Sequence, residues 1–177
     1  MDDILVNKVA NSKLKTINLE ELYPQEEIVN FDIKDYLFQE LILKEKDFRQ
    51  ALKEHDWEQY QDKILCVHCS TDAIIPVWAY MLVSSYAGQI AHTIYTGAHD
   101  QYLVNYYDQK LDDIDLSIYK DGLVVIKGCS NKPVPPSAYA KITALLKPYV
   151  KSLMYGCLLY TSPSPRDRTR SRMPSSA

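Results

Sequence analysis

No apolar run in this 177-residue chain approaches the roughly 20 residues a bilayer-spanning helix needs, so no membrane span is expected. The opening, MDDILVNKVANSKLK, lacks the charged-then-apolar order of a signal peptide. There is no excess of basic residues: the formal net charge is −3. That leaves no basic patch to neutralise phosphates and argues against a nucleic-acid or anionic-membrane surface. Cysteine is scarce, at four residues, and the set is not a disulfide framework. The expected compartment is the cytoplasm.

The chain also lacks any apolar period after Gly156. From Cys157 it reads CLLYTSPSPRDRTRSRMPSSA, and tyrosine, serine, proline and arginine replace the earlier Leu/Val/Ile/Lys mixture at once. On pattern alone this is a disordered tail. Its first eleven residues resemble the in-frame translation of a sequencing-library adapter, and SRMPSSA fits the adapter's outer end. Residues 157–177 are therefore expected to be a non-native tail, with the natural continuation lost. Setting the tail aside removes four arginines and one aspartate, which takes the net charge to −6. Three cysteines remain: Cys66, Cys69 and Cys129. Residues 1–156 suit a single domain, with 1–60 as an N-terminal extension packed on a 61–156 core.

What is present is an alternation of apolar strands and helices. FDIKDYLFQ places Ile33, Leu37 and Phe38 at helical spacing, and Leu41–Leu43 reads as a brief strand. KEKDFRQALKEHDW puts Phe48, Ala51 and Leu52 on one helical face. KILCVHC (Lys63–Cys69), AHTIYTG (Ala91–Gly97) and GLVVIKGC (Gly122–Cys129) read as strands. Between and after them lie predicted helices at Pro76–Gly88, His99–Leu111 and Pro135–Lys147, with proline tolerated in a first turn and Gly88 as a C-terminal cap. Tyr149–Gly156 continues as a helix or an edge strand. This pattern predicts a three-layer α/β fold with a small parallel βαβαβα core over about residues 63–147, plus the N-terminal α/β extension.

Two predicted strands end alike, one as CSTDAIIP and the other as CSNKPVPP. Each offers Cys-Ser, a short polar stretch and a proline opening a helix. Ligands of open parallel sheets bind beyond the C-terminal strand ends, beside helix N-termini. If the first and third strands are neighbours, Cys69 and Cys129 approach each other there. They are candidate metal ligands or nucleophiles, or cysteines that only pack. Asp72 is a candidate ligand or base, or a loop cap. Ser70 and Ser130 are candidate anion or cofactor contacts, or caps. The C-x-x-C of CVHC is not expected to act as one. Strand alternation puts Cys66 and His68 on one face and Cys69 on the other, and no second pair completes a zinc site. His68 is expected to be a satisfied, semi-buried histidine. Tyr102, Tyr106 and Tyr107 read as helix-face packing or an interface patch.

FDIKDYLFQELILKEKDFRQALKEHDWEQYQ, CSTDAIIPVWAYML, VVIKGCSNKPVPPSAY and KSLMYG together resemble a bacterial family, domain of unknown function 2480, across nearly all of residues 4–156. The resemblance implies a gene of a kind often encoded beside sulfur-mobilisation genes for iron–sulfur cluster assembly. The family's pattern continues after Met-Tyr-Gly with Glu-Pro-Cys-Ser, a third Cys-Ser. The resemblance implies an accessory factor that handles thiols, a transition metal or an iron–sulfur cluster, with iron–sulfur assembly proteins as partners. A small-molecule enzyme with a cysteine nucleophile and a non-catalytic scaffold stay open beside it.

Overall fold

A computed structural model describes residues 14–128 and 131–156. In chain order the elements are β1 (Leu14–Asn18), β2 (Ile28–Asp32), α1 (Glu45–Glu54), β3 (Ile64–His68), α2 (Val77–Ala87), β4 (Thr93–Thr96), α3 (His99–Asp112), β5 (Leu123–Lys127), α4 (Pro136–Leu146) and β6 (Ser152–Tyr155). Short 3-10 turns follow β1 and β2 and precede β3 and β5. The α/β class is as expected, and β3, β4, β5, α2, α3 and α4 lie within two residues of their predicted bounds. No helix among the described residues is long and apolar enough to cross a membrane.

The N-terminal third departs from expectation. The segment predicted as a helix around Ile33 is the end of β2 followed by a 3-10 turn, Ile33–Tyr36. Phe31 and Ile33 are both buried two residues apart, the period of extended chain, and the Asp32 carboxylate accepts from the Lys34 amide to start the turn. Leu41–Leu43 is not a strand. Gln39 and Glu40 turn the chain at φ 50° and 58°, leaving one isolated antiparallel bridge between Phe38 and Ile42.

The expected single sheet is two. One has the order β2-β3-β4 and the other β1-β5-β6, and every pairing is parallel. Thus β3 and β5 are not sheet neighbours, and the premise that would have brought Cys69 toward Cys129 along one sheet edge does not hold. Helices α1, α2 and α4 each join two strands of one sheet, but α3 carries the chain out of one sheet and into the other.

The two sheets repeat one unit. Ile28 pairs with Ile64 and Ile64 with Thr93; in the other sheet Leu14 pairs with Leu123 and Leu123 with Ser152. From β3 to β5, α2 to α4 and β4 to β6 the offset is 59 residues throughout. Small features keep the same spacing. Asp62 and Asp121 both take positive φ, at 57° and 55°. The Gly97 amide donates to the Val67 carbonyl, and the Gly156 amide to that of Ile126, both at 2.9 Å. The first strands repeat at an offset of 14, and the side chains of Asn18 and Asp32 each accept from the amide two residues on. The two Cys-Ser pairs, 60 apart, are therefore one residue out of step with the repeat.

Strand β3 is where the two units join. Leu65 and Val67 face a core with Phe31, Phe48, Leu52, Ala79 and Val83. Ile64 and Cys66 face the opposite way, into a core with Leu103, Tyr107, Leu111, Val124 and Ile142. The face of α3 carrying Leu103, Tyr107 and Leu111 is buried as predicted, and the Tyr107 hydroxyl donates to the Leu19 carbonyl at 2.9 Å. Beside the first core, His55 sits between two tyrosine hydroxyls, Tyr36 at 3.1 Å from Nδ1 and Tyr60 at 3.0 Å from Nε2. Phe31 and Trp57 also pack on its ring.

Burial pushes the His55 imidazole below its ordinary value of 6.5, against the opposing pull of Asp56. The fold therefore prefers the neutral ring. This contribution to stability is complete above the unfolded value and is lost as pH falls through the folded one. The urea midpoint should drop between about pH 8 and pH 5, and His55→Gln should flatten that part of the drop. An unchanged pH slope in the variant would contradict this assignment.

Candidate functional site

Strands β2, β3 and β4 end together, so their C-terminal edge brings Asp32, His68 and Thr96 side by side, with Asp32 opposite His68 in register. The chain leaves β3 at Cys69 and crosses this edge to reach α2. The crossing loop is anchored on Asp32. The carboxylate oxygen that caps the Lys34 amide also accepts the Ser70 amide at 3.0 Å. Burial pushes the Asp32 carboxyl upward, but hydrogen bonds from the Ser70 hydroxyl, the Lys34 amide and the Ser70 amide, with His68 nearby, together hold it below the ordinary range. Ser70, a candidate ligand contact, thus has both amide and hydroxyl engaged by a carboxylate.

A cavity of about 280 Å³ opens at this edge. Cys69, Thr71, Ile75, Tyr80, Thr96 and Gly97 contribute to its walls. The thiol is part-buried, and its Sγ lies 3.3 Å from the Thr71 hydroxyl. Tyr80 comes from the first turn of α2; burial and the neighbouring Cys69 raise its pKa. Gly97 closes the far side at φ 142°, where a Cβ would stand 2.7 Å from the Tyr95 ring. Only glycine fits that conformation without displacing the ring.

His68 departs from expectation. It is semi-buried, but its Nδ1 is sealed from solvent and has no hydrogen-bond partner, while Nε2 lies 3.9 Å from Asp32 Oδ2. Asp72 is exposed and does not contribute to the cavity. The carboxylate at this edge is Asp32 instead, 36 residues before His68. Sequence spacing could not reveal it, because its segment reads as a helix; the signal available was the alternation of Phe31 and Ile33 around it. Cys129 and Ser130 lie outside the described residues. Among the described residues no group of three His, Cys, Asp or Glu side chains converges to hold a metal ion.

The C-x-x-C divides as strand alternation predicts. Cys66 is fully buried on the α3 side of β3, and burial pushes its thiol up to about 11. Cys69 packs on the other core and reaches the cavity. Both are free thiols.

In the repeat, Gly128 occupies the position of Cys69 and Tyr139 that of Tyr80. The Tyr139 hydroxyl donates to the Gly128 carbonyl. A Cβ on Gly128 would stand 2.8 Å from that hydroxyl and 3.0 Å from the Leu19 Cβ. The second edge therefore has no room for a side chain where the first carries a thiol.

Compared with known families, the chain matches one over residues 3–164. It belongs to the family described as protein of unknown function (DUF2480). No curated protein and no solved structure matches it. The DUF2480 match spans both repeats, so the Cys69 cavity and its glycine-bearing counterpart lie within one family unit.

Asp32→Ala should cost about 1–2 kcal/mol of stability, because it frees the Ser70 and Lys34 amides together, and Asp32→Asn should cost less. The Asp32 share is present above the unfolded carboxylate value and is lost as pH falls through the lowered folded value. Chemical denaturation of both variants at neutral and acid pH measures this. Equal losses for Ala and Asn would contradict the capping role.

Proposed function

We propose that the C-terminal edge of β2-β3-β4 is a small-ligand site whose working group is the Cys69 thiol. One observation carries the reading: Cys69 is the part-buried thiol of a formed cavity, while the equivalent backbone position in the other repeat is a glycine covered by tyrosine. Strand ends of parallel sheets are the usual ligand crevices of α/β folds. At about 280 Å³ the cavity suits a ligand smaller than a typical drug-sized molecule. Thr71 and Tyr80 supply hydroxyls to orient a polar substituent next to the sulfur. The thiol then adds to an activated double bond of a small electrophile: the S–H proton leaves to water, the S–C bond forms as the π bond opens, and the adjacent carbon takes up a proton from water, so no group is expelled.

A metal- or cluster-holding role in iron–sulfur assembly asks more of the donors. Cys69 supplies one thiolate, and the described residues do not converge on it as a ligand set. That reading would need further ligands from Cys129 or from sequence beyond Gly156. The thiol reading needs only what lines the cavity.

Thiol-labelling kinetics with peptide mapping test the proposal. Cys66, at about 11, is roughly two units above an ordinary thiol, which alone lowers its thiolate about a hundredfold. Cys69 reaches the cavity while Cys66 is fully buried, so Cys69 should label much faster than Cys66 near neutral pH. A panel of small electrophiles read by intact mass should give adducts that Cys69→Ser does not form. Labelling of Cys69 as slow as that of Cys66, or adducts that survive Cys69→Ser, would overturn the reading.

A further inference from the structure

A second and larger cavity lies at the other end of the same strands. It measures about 540 Å³ and sits where β3 and β4 begin, at Ile64 and Thr93, while the Cys69 cavity lies beyond their last residues. One face of α3 forms its wall: Tyr102, Asn105, Tyr106 and Gln109, at the i, i+3, i+4, i+7 spacing of a single helical stripe. The opposite side carries Glu26, from the connection between β1 and β2, and His92, 3.9 Å apart.

Tyr102 indicates what this cavity is for. The residue is 8 % exposed and packs in the central core. Its hydroxyl makes no hydrogen bond to any described residue, yet it is not sealed from solvent, so it opens on the cavity. A donor held this deep without a protein partner is satisfied by what enters the cavity. Around it stand aromatic rings: Tyr95 edge-on at 5.4 Å and Tyr106 at 5.8 Å between centroids. Beyond them Gln109 Nε2 donates to Asn105 Oδ1 at 3.1 Å, which leaves the Asn105 amide NH₂ and the Gln109 carbonyl without a partner among the described residues. A paired donor and acceptor of this kind matches the edge of a planar heteroaromatic ring.

The charges limit the ligand. Glu26 and Lys110 offset each other, and the Lys110 ammonium is drawn over the Tyr106 ring at 5.6 Å. The N-terminus of α3, at His99, lies three residues before the stripe, and none of His99, Asp100 and Gln101 lines the cavity. Among the described lining residues the one ammonium, Lys110, is offset by Glu26 and no helix-end residue takes part, which favours an uncharged ligand over a phosphate.

We propose that this cavity binds the base of an uncharged nucleoside, stacked on the tyrosine cluster, hydrogen-bonded by the Tyr102 hydroxyl and read at its edge by Asn105 and Gln109.

Titration of the full chain with adenosine, guanosine, cytidine and uridine, each beside its 5′-monophosphate, tests this by calorimetry. At least one nucleoside should bind with a Kd below about 1 mM, and the monophosphate should bind no tighter. Tyr102→Phe removes the hydroxyl and keeps the ring in the core; it should weaken binding about tenfold with the melting temperature unchanged. Asn105→Ala, on the exposed side of α3, should weaken it as well. Cys69→Ser should bind like the natural chain. No binding by any of the four nucleosides, unchanged affinity in both α3 variants, tighter binding of the monophosphate, or loss of binding in Cys69→Ser would each overturn the proposal. Because Cys69 is not used here, failure of this site leaves the thiol reading untouched, and the reverse also holds.

Discussion

The first four residues of strand β3 are buried on both faces of its sheet, and the rest of the molecule is arranged around that fact. Five residues, Ile64–His68, present Leu65 and Val67 to one core and Ile64 and Cys66 to the other. Fully burying each aliphatic side chain contributes on the order of 1.5–3 kcal/mol, and here the gain is split between two cores that neither sheet could complete alone. The equivalent strand of the other repeat, β5, alternates between buried and half-buried residues. The extra cover over β3 comes from α3, whose Tyr102, Leu103 and Tyr107 share one core with Ile64 and Cys66. Both proposed sites follow from this arrangement, since the two cavities are the two ends of the β3–β4 pair.

The repeat sets a thiol at the end of one middle strand and a glycine at the equivalent position of the other. Both units end their middle strand against a tyrosine from the first turn of the following helix, Tyr80 in one and Tyr139 in the other. Where the tyrosine hydroxyl bonds the backbone, the facing residue is Gly128 at φ 149°, and no side chain fits. Where it does not, Cys69 occupies the position and a cavity remains. The same scaffold thus leaves room for a side chain at one of the two equivalent positions and fills it with a tyrosine hydroxyl at the other.

Much of the local structure was legible in the sequence, because helix and strand periods are local. The apolar runs around Ile64, Ile94 and Val124 and the stripes of α2, α3 and α4 lie where the pattern puts them. The division of Cys66 from Cys69 followed from alternation alone. What the pattern could not carry was partnership between distant segments. Strands β3, β4 and β5 read as one sheet because each is apolar and joined to the next by a helix, and nothing local tells β5 to pair with β1 and β6. Asp32 was hidden for the same reason: its role depends on lying opposite His68, and its own segment mimics a helix. Cys69 and Cys129 invited comparison through identical neighbours, but the backbone repeat is 59 residues and the dipeptides are 60 apart.

If the doubly buried strand is what couples the two repeats, the described core should open as one unit. Native-state hydrogen exchange measures this directly, amide by amide. The amides of Leu65, Cys66 and Val67 are expected to exchange only through global unfolding, with those of Val124 and Ile126 in the other sheet showing the same opening free energy. A β1-β5-β6 sheet that opens at distinctly lower free energy, while β3 stays protected, would show two independent units and contradict the account.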